Sequence, residues 1–461
     1  MPEDAVGRVA KAGRRRIPVH AFAALVLLLG PSPGQAGEDP PPPPKPAADG
    51  KVPLGERVNR AIDAGVAWLK QQAQPRGNFQ LEVKHAGAYD AASTGYYYPA
   101  GTTAFALYTL LKSGVPAKDP VIQNGFHWLR NDAGAGKAGG ATASAKGGRI
   151  PGSTYEIAAI LLALEAKSNP HKREKERERE ARFHLKKGEK LDLGVRLPPE
   201  DRGWMADLVA AMERRRGAHP AWRYDIEQGG GAVWTGQGGD ADMSATMMAL
   251  LALLAAERCG LAQPDKTWLE ALDWILDQQE ATGPKVRRGG SESKPTEDER
   301  YGLGMDEERG WPYMKGSTIA REASVSGGMT CCGLAGVVIA SNVLQARGSR
   351  EFAASRAAKA EKAWFDGQAW LRKRWEVADN PGCAGCYHYY YLYCLERVGD
   401  LKGVHLVAGH DWYTEGATVL VDQQRADGSW LKRDTHEPRD VLNTCFALLF
   451  LDRSTPAITG E

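Results

Sequence analysis

Three stretches with the same residue spacing decide the fold: GATVLVDQQRADGSW (416–430), GVAWLKQQAQPRGNF (65–79) and ALDWILDQQEATG (271–283). Each has Gly or Ala three residues before a Trp or Val, and a Gly nine residues after that position. The first two stretches end in Gly-x-aromatic. Segments that begin at Gly125 and Gly367 share the start of the pattern but not its end. Such self-similarity indicates a fold assembled from copies of one structural unit.

Each copy predicts an amphipathic helix that ends in a turn, because apolar residues recur at helical spacing between Lys, Gln and Asp. A more apolar helix follows each one, as expected of a helix buried on several sides. The absence of longer alternating strand patterns favours an all-α fold, a closed ring of six outer/inner hairpins. The predicted outer helices are 55–73, 118–131, 201–216, 265–281, 350–377 and 413–426. The predicted inner helices are 102–114, 153–166, 243–256, 328–341, 387–399 and 441–452.

The register Gly/Ala-x-x-Trp-Leu-x-x-x-Gln-x-x-x-Gly-x-Trp resembles the repeat, or QW motif, of squalene–hopene and oxidosqualene cyclases. Residues 416–430 match it except at Val419, and residues 65–79 match it except at Ala73 and at the final aromatic. The resemblance extends to the wider terpenoid cyclase/protein prenyltransferase superfamily. It implies an all-α (α/α)6 toroid with the N-termini of the inner helices around a central cavity. It also implies that the repeat aromatics, here Trp68, Trp274 and Trp430, tie helix ends together.

The segment GDADMSAT (239–246) has two readings. Class II cyclases of the resembling type protonate an alkene with the central Asp of Asp-x-Asp-Asp-Thr-Ala, which makes Asp242 the candidate proton donor and Asp240 its neighbour. Met243 replaces the third Asp and removes a member of the carboxylate cluster that tunes such an acid. The alternative is a helix N-cap, because Asp and Ser at this position bind the first turn of a helix.

Aromatic residues near the loops that precede the inner helices form a second candidate feature. Aromatic faces bind apolar groups and stabilise cations, and they also serve in plain helix packing. The cavity interpretation gives seven candidate substrate-binding residues: Trp222, Tyr224, Trp234, Trp311, Tyr313, Tyr387 and His388.

The prenyltransferase branch of the resemblance raises the question of a zinc site, with Cys332 and His388 as ligands. Thr330 stands where that family has an Asp, which removes one protein ligand. The CxxC of Cys383 and Cys386 is a disulfide loop, a metal knuckle or incidental. No P-loop lysine, G-x-S-x-G or H-E-x-x-H motif occurs in the sequence. We therefore expect neither a metal nor a cofactor.

The N-terminus predicts export. A run of three arginines, an apolar segment AFAALVLLLG (21–30) and the small residues GQA (34–36) are typical of a signal peptide, with an uncleaved anchor as the alternative. The formal net charge of +2 over 461 residues gives no reason to expect a nucleic-acid partner. The predicted division is a signal peptide (1–36), a Pro-rich linker (37–54), the toroid (55–455) with charged insertions near 167–200 and 283–310, and a tail (456–461).

These features predict an exported toroid protein of the periplasm, cell envelope or exterior that binds an apolar isoprenoid or lipid in its centre. Cyclisation of the ligand through Asp242 would extend that function. Peripheral association with a membrane is a further possibility for such a protein. The alternatives are a non-catalytic binding or interaction scaffold of the cell envelope and a glycan-active enzyme with paired acids. The sequence leaves the oligomeric state undetermined.

Overall fold

The helices of the described residues form two layers. The computed structural model describes residues 52–79, 99–133, 142–143, 147–169, 195–223, 241–288, 304–318, 320–431 and 440–452. The outer helices are α1 (Leu54–Gln71), α3 (Pro120–Asn131), α5 (Pro199–Arg216), α7 (Asp265–Gln278), α11 (Ala357–Lys373) and α13 (Trp412–Gln423). The inner helices are α2 (Pro99–Lys112), α4 (Thr154–Ser168), α6 (Met243–Arg258), α9 (Gly327–Ala346), α12 (His388–Lys402) and α14 (Asp440–Asp452). Two short helices, α8 (Ala320–Ala323) and α10 (Arg350–Ser355), precede α9 and α11.

The inner helices close into a ring. Neighbours contact in the order α2, α4, α6, α9, α12 and α14, and α14 returns to contact α2. Each outer helix packs on the inner layer, for example α7 on α9 and α1 on α14. The predicted all-α toroid is therefore confirmed, whereas the count of six hairpins for the whole chain stays a prediction.

Burial explains why the two layers differ in composition. Inner helix α9 is long and apolar enough to cross a membrane by length and composition, and 83% of its apolar window is buried inside the protein. Outer helix α1 buries Val58, Ala61 and Leu69 on one face while its polar residues face outward. An apolar stripe suffices for a helix with one packed face, and a helix surrounded by others needs apolar residues all round.

The repeat residues hold consecutive units together. A side chain at Gly65 would place its Cβ 2.8 Å from the ring of Trp430, so the glycine lets that indole pack against α1. Gln424 donates to the carbonyls of Ala61 and Gly428, at 2.8 and 3.0 Å. The last repeat is thereby tied to the first helix, and a motif near the C-terminus contributes to ring closure.

Three details differ from the sequence-based expectations. The predicted helix 350–377 is divided at Arg356 into α10 and α11. Short strands β1 (Thr142–Ala143) and β2 (Arg149–Ile150) pair antiparallel. The charged insertion near 283–310 carries a second antiparallel pair of β3 (Lys285–Arg287) with β4 (Met305–Glu307). The domain boundaries themselves stay predictions.

The second strand pair is fixed to the outer layer by a buried carboxylate. Asp366 of α11 is fully buried and accepts a hydrogen bond from the backbone N–H of Glu307 at 2.8 Å. The same carboxylate binds Arg309, whose Nε lies 2.9 Å away, and Lys362, whose Nζ lies 2.9 Å away. The two cations and the hydrogen bond compensate the cost of burying this charge.

Candidate functional site

A repeated hydrogen bond joins four of the units to the inner helix that follows each of them. In four units the backbone N–H of an aromatic residue donates to the hydroxyl of a threonine that is buried on that helix. The pairs are Phe79 with Thr103 (3.0 Å), Trp222 with Thr246 (3.1 Å), Trp311 with Thr330 (3.3 Å) and Trp430 with Thr444 (3.1 Å). Trp222 and Trp311 thus occupy the position of the repeat aromatic, although both were predicted to bind substrate.

The indole of Trp311 has a packing role. The side chain is fully buried, and its Nε1 donates to the carbonyl of Ile275 at 2.8 Å. Trp430 makes the equivalent bond to Leu420, also at 2.8 Å. Both rings therefore tie a loop to the preceding outer helix, as the resemblance implied for the repeat aromatics. Trp222 differs, because its buried Nε1 has no hydrogen-bond partner.

Asp242 caps inner helix α6. Its carboxylate accepts a hydrogen bond from the backbone N–H of Ala245 at 2.7 Å, and its own N–H donates to the carbonyl of Trp222 at 3.1 Å. The carbonyl of Tyr313 accepts from the N–H of Met243 at 3.0 Å, so a second loop closes over the same helix end. Three of the predicted site residues, Asp242, Trp222 and Tyr313, are therefore brought together.

The carboxyl of Asp242 binds its proton more tightly than an ordinary aspartic acid does. Asp242 is 1% exposed, and this burial raises its pKa from 3.8 to about 7. The bond from the Ala245 N–H, a side-chain hydrogen bond from Tyr313 and the charge of Arg223 act in the opposite direction. Because desolvation disfavours the charged form, the capping residue also titrates near neutral pH. Capping and protonation thus coexist at one residue.

The remaining predicted residues lie elsewhere. Asp240, Tyr224 and Trp234 fall outside the described residues. Tyr387 is 42% exposed and adopts a left-handed backbone (φ 50°) immediately before α12. His388 is 1% exposed and its Nε2 lies 2.8 Å from the carbonyl of Val377. This contact ties the start of α12 to the segment that follows α11.

The cysteines of the zinc hypothesis are engaged in other contacts. Cys383 and Cys386 form a disulfide, which decides between the three readings of the CxxC. Cys332 is fully buried, with its Sγ 3.5 Å from the Sγ of Cys394 and 3.3 Å from the hydroxyl of Tyr390. Among the described residues, no group of three or more His, Cys, Asp or Glu side chains is arranged to hold a metal ion.

Side chains that meet across the ring define its centre. Ser244 of α6 lies 2.7 Å from the hydroxyl of Tyr390 of α12, although α9 stands between these helices in the ring. Ser244 also shares a hydrogen bond with Tyr155 of α4. Together with the contact of Tyr390 to Cys332 of α9, these bonds connect four inner helices. We call these residues (Tyr155, Ser244, Cys332 and Tyr390) the central polar network.

An aromatic cluster continues the centre toward α2 and α14. The ring of Phe446 lies 5.2 Å from that of Phe105, 5.3 Å from Tyr393 and 5.4 Å from Tyr390. Phe446, Tyr390 and Tyr155 stay partly exposed although they belong to the inner layer. All three lie in the first two turns of their inner helices, so the partly exposed rings gather toward the N-terminal end of the ring. We call this region the aromatic centre.

Sequence reasoning missed most of the aromatic centre. Tyr390 stands three residues after the candidate Tyr387, but Tyr155 and Phe446 lie on helices whose composition indicates only a buried helix. Their position in the first two turns of an inner helix is the available signal, because those turns surround the N-terminal end of the ring.

Comparison with known proteins gives similarities of architecture. No family model and no curated protein matches the chain. Among solved structures, the type II terpene cyclase MstE from Scytonema is similar at 13% identity and a TM-score of 0.40, over 87% of this chain and 99% of that one. A D-mannose isomerase is similar at 12% identity and a TM-score of 0.46, over 89% of this chain and 99% of that one. We draw no activity from these likenesses. The observed layers and site define an all-α toroid protein with a partly exposed aromatic centre.

Proposed function

We propose that this protein binds an apolar isoprenoid or lipid in its aromatic centre. The observation that carries the proposal is the partly exposed aromatic lining inside a closed ring of buried helices. Ligand sites of this kind are concave and mostly apolar, with a few polar groups that orient the ligand. The central polar network supplies such groups in the hydroxyls of Tyr155, Ser244 and Tyr390.

Catalysis would be an extension of this binding. A buried carboxyl with a pKa of about 7 is protonated in about half of the molecules at neutral pH, and a general acid requires that protonated form. Ser244, two residues after Asp242, belongs to the central polar network, so the acid and the proposed ligand site share the start of α6. This proximity supports proton donation to a ligand as a hypothesis, which the experiment below separates from binding.

The direct test is mass spectrometry of lipids that co-purify with the native protein, followed by incubation with squalene. Bound isoprenoid or lipid is the expected result. Conversion by the wild type but not by Asp242→Asn would add the cyclase activity, and retention without conversion in both would leave binding alone. If neither protein carries or retains any lipid, the proposal fails and a scaffold role is favoured.

A pair of variants locates the ligand. Phe446→Trp enlarges a partly exposed ring in the aromatic centre, and we expect it to lower lipid retention about tenfold by filling the space. Phe365→Trp is the matched control, since Phe365 is a partly buried aromatic on outer helix α11 beneath Arg288. Equal retention in both variants would place the ligand outside the aromatic centre.

We also propose that the protein is exported through residues 1–36. Support comes from the basic, apolar and small-residue segments in that order. N-terminal sequencing of the protein recovered from cell fractions tests this. A mature N-terminus near position 37 in an extracytoplasmic fraction is expected, an intact N-terminus in membranes would indicate an anchor, and an intact cytoplasmic protein would refute export.

A further inference from the structure

Two cysteines of neighbouring inner helices meet beside the central polar network. Sγ of Cys332 on α9 lies 3.5 Å from Sγ of Cys394 on α12, and both residues are fully buried. Each cysteine lies in the second turn of its helix, and the two helices are neighbours in the ring. The function proposed above uses Cys332 only as a contact of Tyr390 and does not use Cys394.

Helices α9 and α12 approach closely near this contact because α9 begins with two glycines. A Cβ at Gly327 would lie 3.0 Å from the ring of Tyr391, and a Cβ at Gly328 would lie 3.7 Å from the Cβ of the same tyrosine. The ring of Tyr391 is fully buried, and its hydroxyl donates to the carbonyl of Glu376 at 2.8 Å. The two helices are therefore packed tightly about one turn before the two sulfurs.

The two sulfurs are close enough to be joined by a small movement. A disulfide has an S–S distance of about 2.0 Å, so the sulfurs at 3.5 Å have to approach by about 1.5 Å. Burial raises the pKa of the Cys394 thiol well above its ordinary value, so this sulfur carries a proton at neutral pH. A thiol is a weak donor and sulfur is a weak acceptor, so the reduced contact by itself stabilises the helix pair little.

The chain already contains one disulfide, between Cys383 and Cys386 in the segment before α12. Disulfides form and persist where the surroundings oxidise thiols, as they do in the extracytoplasmic compartments proposed above for this protein. Two further thiols that touch inside the same chain are therefore suited to the same chemistry. Their position differs, since Cys332 and Cys394 lie between two helices of the inner ring.

We propose that Cys332 and Cys394 form a disulfide that joins α9 to α12. As the S–S bond forms, the two thiols give up two protons and two electrons. A small-molecule disulfide such as oxidised glutathione takes them up, and its own S–S bond breaks to give two thiols. Because both sulfurs are buried, the exchange takes place during folding or when the helix pair opens locally. The bond needs no ligand in the aromatic centre, so its test is separate from that of the proposed function.

The length of chain between the two cysteines predicts the effect of the bond on unfolding. Cys332 and Cys394 are 62 residues apart, whereas Cys383 and Cys386 are separated by 3. A cross-link restricts the unfolded chain more when it closes a longer loop. Oxidation of the inner pair should therefore raise the urea midpoint of unfolding, and the short loop should contribute much less.

Mass spectrometric mapping of the full-length protein tests the assignment. The purified protein is incubated with oxidised glutathione in urea below the unfolding transition, where local opening exposes the sulfurs. Remaining thiols are alkylated in denaturant, and the protein is digested with trypsin and chymotrypsin without reduction. Chymotrypsin is needed because Cys394 shares its tryptic peptide with Cys383 and Cys386 but is separated from them by tyrosines. We expect the peptide of residues 331 and 332 to be linked to the peptide of Cys394.

Cysteine variants decide which of two adjacent sulfurs reacts. Cys331→Ala is the matched control, because Cys331 is also fully buried in α9 but projects about 100° away from Cys332 around the helix. It should retain the link, whereas Cys332→Ala and Cys394→Ala should lose it. Oxidation should raise the urea midpoint of the wild type and of Cys331→Ala more than that of Cys332→Ala, where only the short Cys383–Cys386 loop responds.

The wild-type map decides the proposal even if a variant fails to fold, because fragmentation of the linked peptide between residues 331 and 332 identifies the sulfur. The Cys383–Cys386 link in the same digest shows that disulfides survive the procedure. Alkylated Cys332 and Cys394 beside that intact link would overturn the proposal. A link that is lost in Cys331→Ala and kept in Cys332→Ala would overturn it as well.

Discussion

Replacement of Asp242 by Asn should remove one specific component of the pH dependence of stability. Asn retains the oxygen that accepts the bond from Ala245 and is as good an N-cap as Asp. It does not titrate. Wild type and variant should therefore share the helix cap and differ in a single buried ionisation, since Asp242 is 1% exposed.

The sign and the size of the effect follow from the two pKa values. The pKa of Asp242 is 3.8 for the unconstrained group and about 7 in the folded chain, so between these values the folded protein holds a proton that the unfolded chain has released. Stability from this residue is therefore present at low pH and is lost as the pH rises through 7. From about pH 5 to about pH 8 the loss amounts to about 2–3 kcal/mol.

Urea denaturation at these two pH values measures the effect. The free energy of unfolding of the wild type should fall with pH by about 2–3 kcal/mol more than that of Asp242→Asn, while other titrations cancel in the comparison. Asp119→Asn is the control: Asp119 caps α3 through the N–H of Val121, and its pKa is lowered, chiefly by a hydrogen bond from Lys70. Its carboxyl is ionised in both states over this range. Parallel pH curves for wild type and Asp242→Asn would refute the raised pKa and, with it, the acid hypothesis.

Three further substitutions test the packing. Thr444→Val leaves the N–H of Trp430 unsatisfied and should lower the free energy of unfolding by about 1–2 kcal/mol, measured by urea denaturation. Gly416→Ala places a Cβ 2.4 Å from the ring of Phe450 and should cost about 1–3 kcal/mol by the same assay; an unchanged midpoint would show that the ring moves freely. Asp366→Asn leaves two cations without their buried carboxylate and should cost about 3 kcal/mol, with proteolysis starting first next to strand β4, which this carboxylate anchors.

The helices were largely predictable because their signals are local. Apolar spacing and glycine positions place the inner helix at 243–256, where α6 runs from Met243 to Arg258. Local spacing also predicted the outer helix at 265–281, where α7 lies, and the repeat at 416–430, which contacts α1. Helical periodicity depends only on the order of the residues. A helix buried on one side can therefore be distinguished from a helix buried on all sides without knowledge of the elements that pack against it.

The site was less predictable because its members are joined through space. Trp311 bonds to Ile275 of α7, but the insertion near 283–310 separates the two residues in sequence. The repeat spacing is therefore interrupted, and Trp311 could not be recognised as the repeat aromatic from spacing. In the sequence, Tyr155 and Phe446 cannot be distinguished from ordinary core residues, because distant helices decide which rings meet them at the centre. Sequence spacing alone could not choose between packing and binding for any of these aromatics.

Asp242 illustrates which properties follow from the sequence and which depend on the tertiary structure. The sequence by itself determined an all-α repeat and a helix start at residue 243, because capping and periodicity depend on neighbouring residues. The contacts across the centre of the ring and the raised pKa of Asp242 were decided by the tertiary structure alone. The physical reason is that desolvation depends on every element packed around a group, and residues far apart in the chain supply those elements.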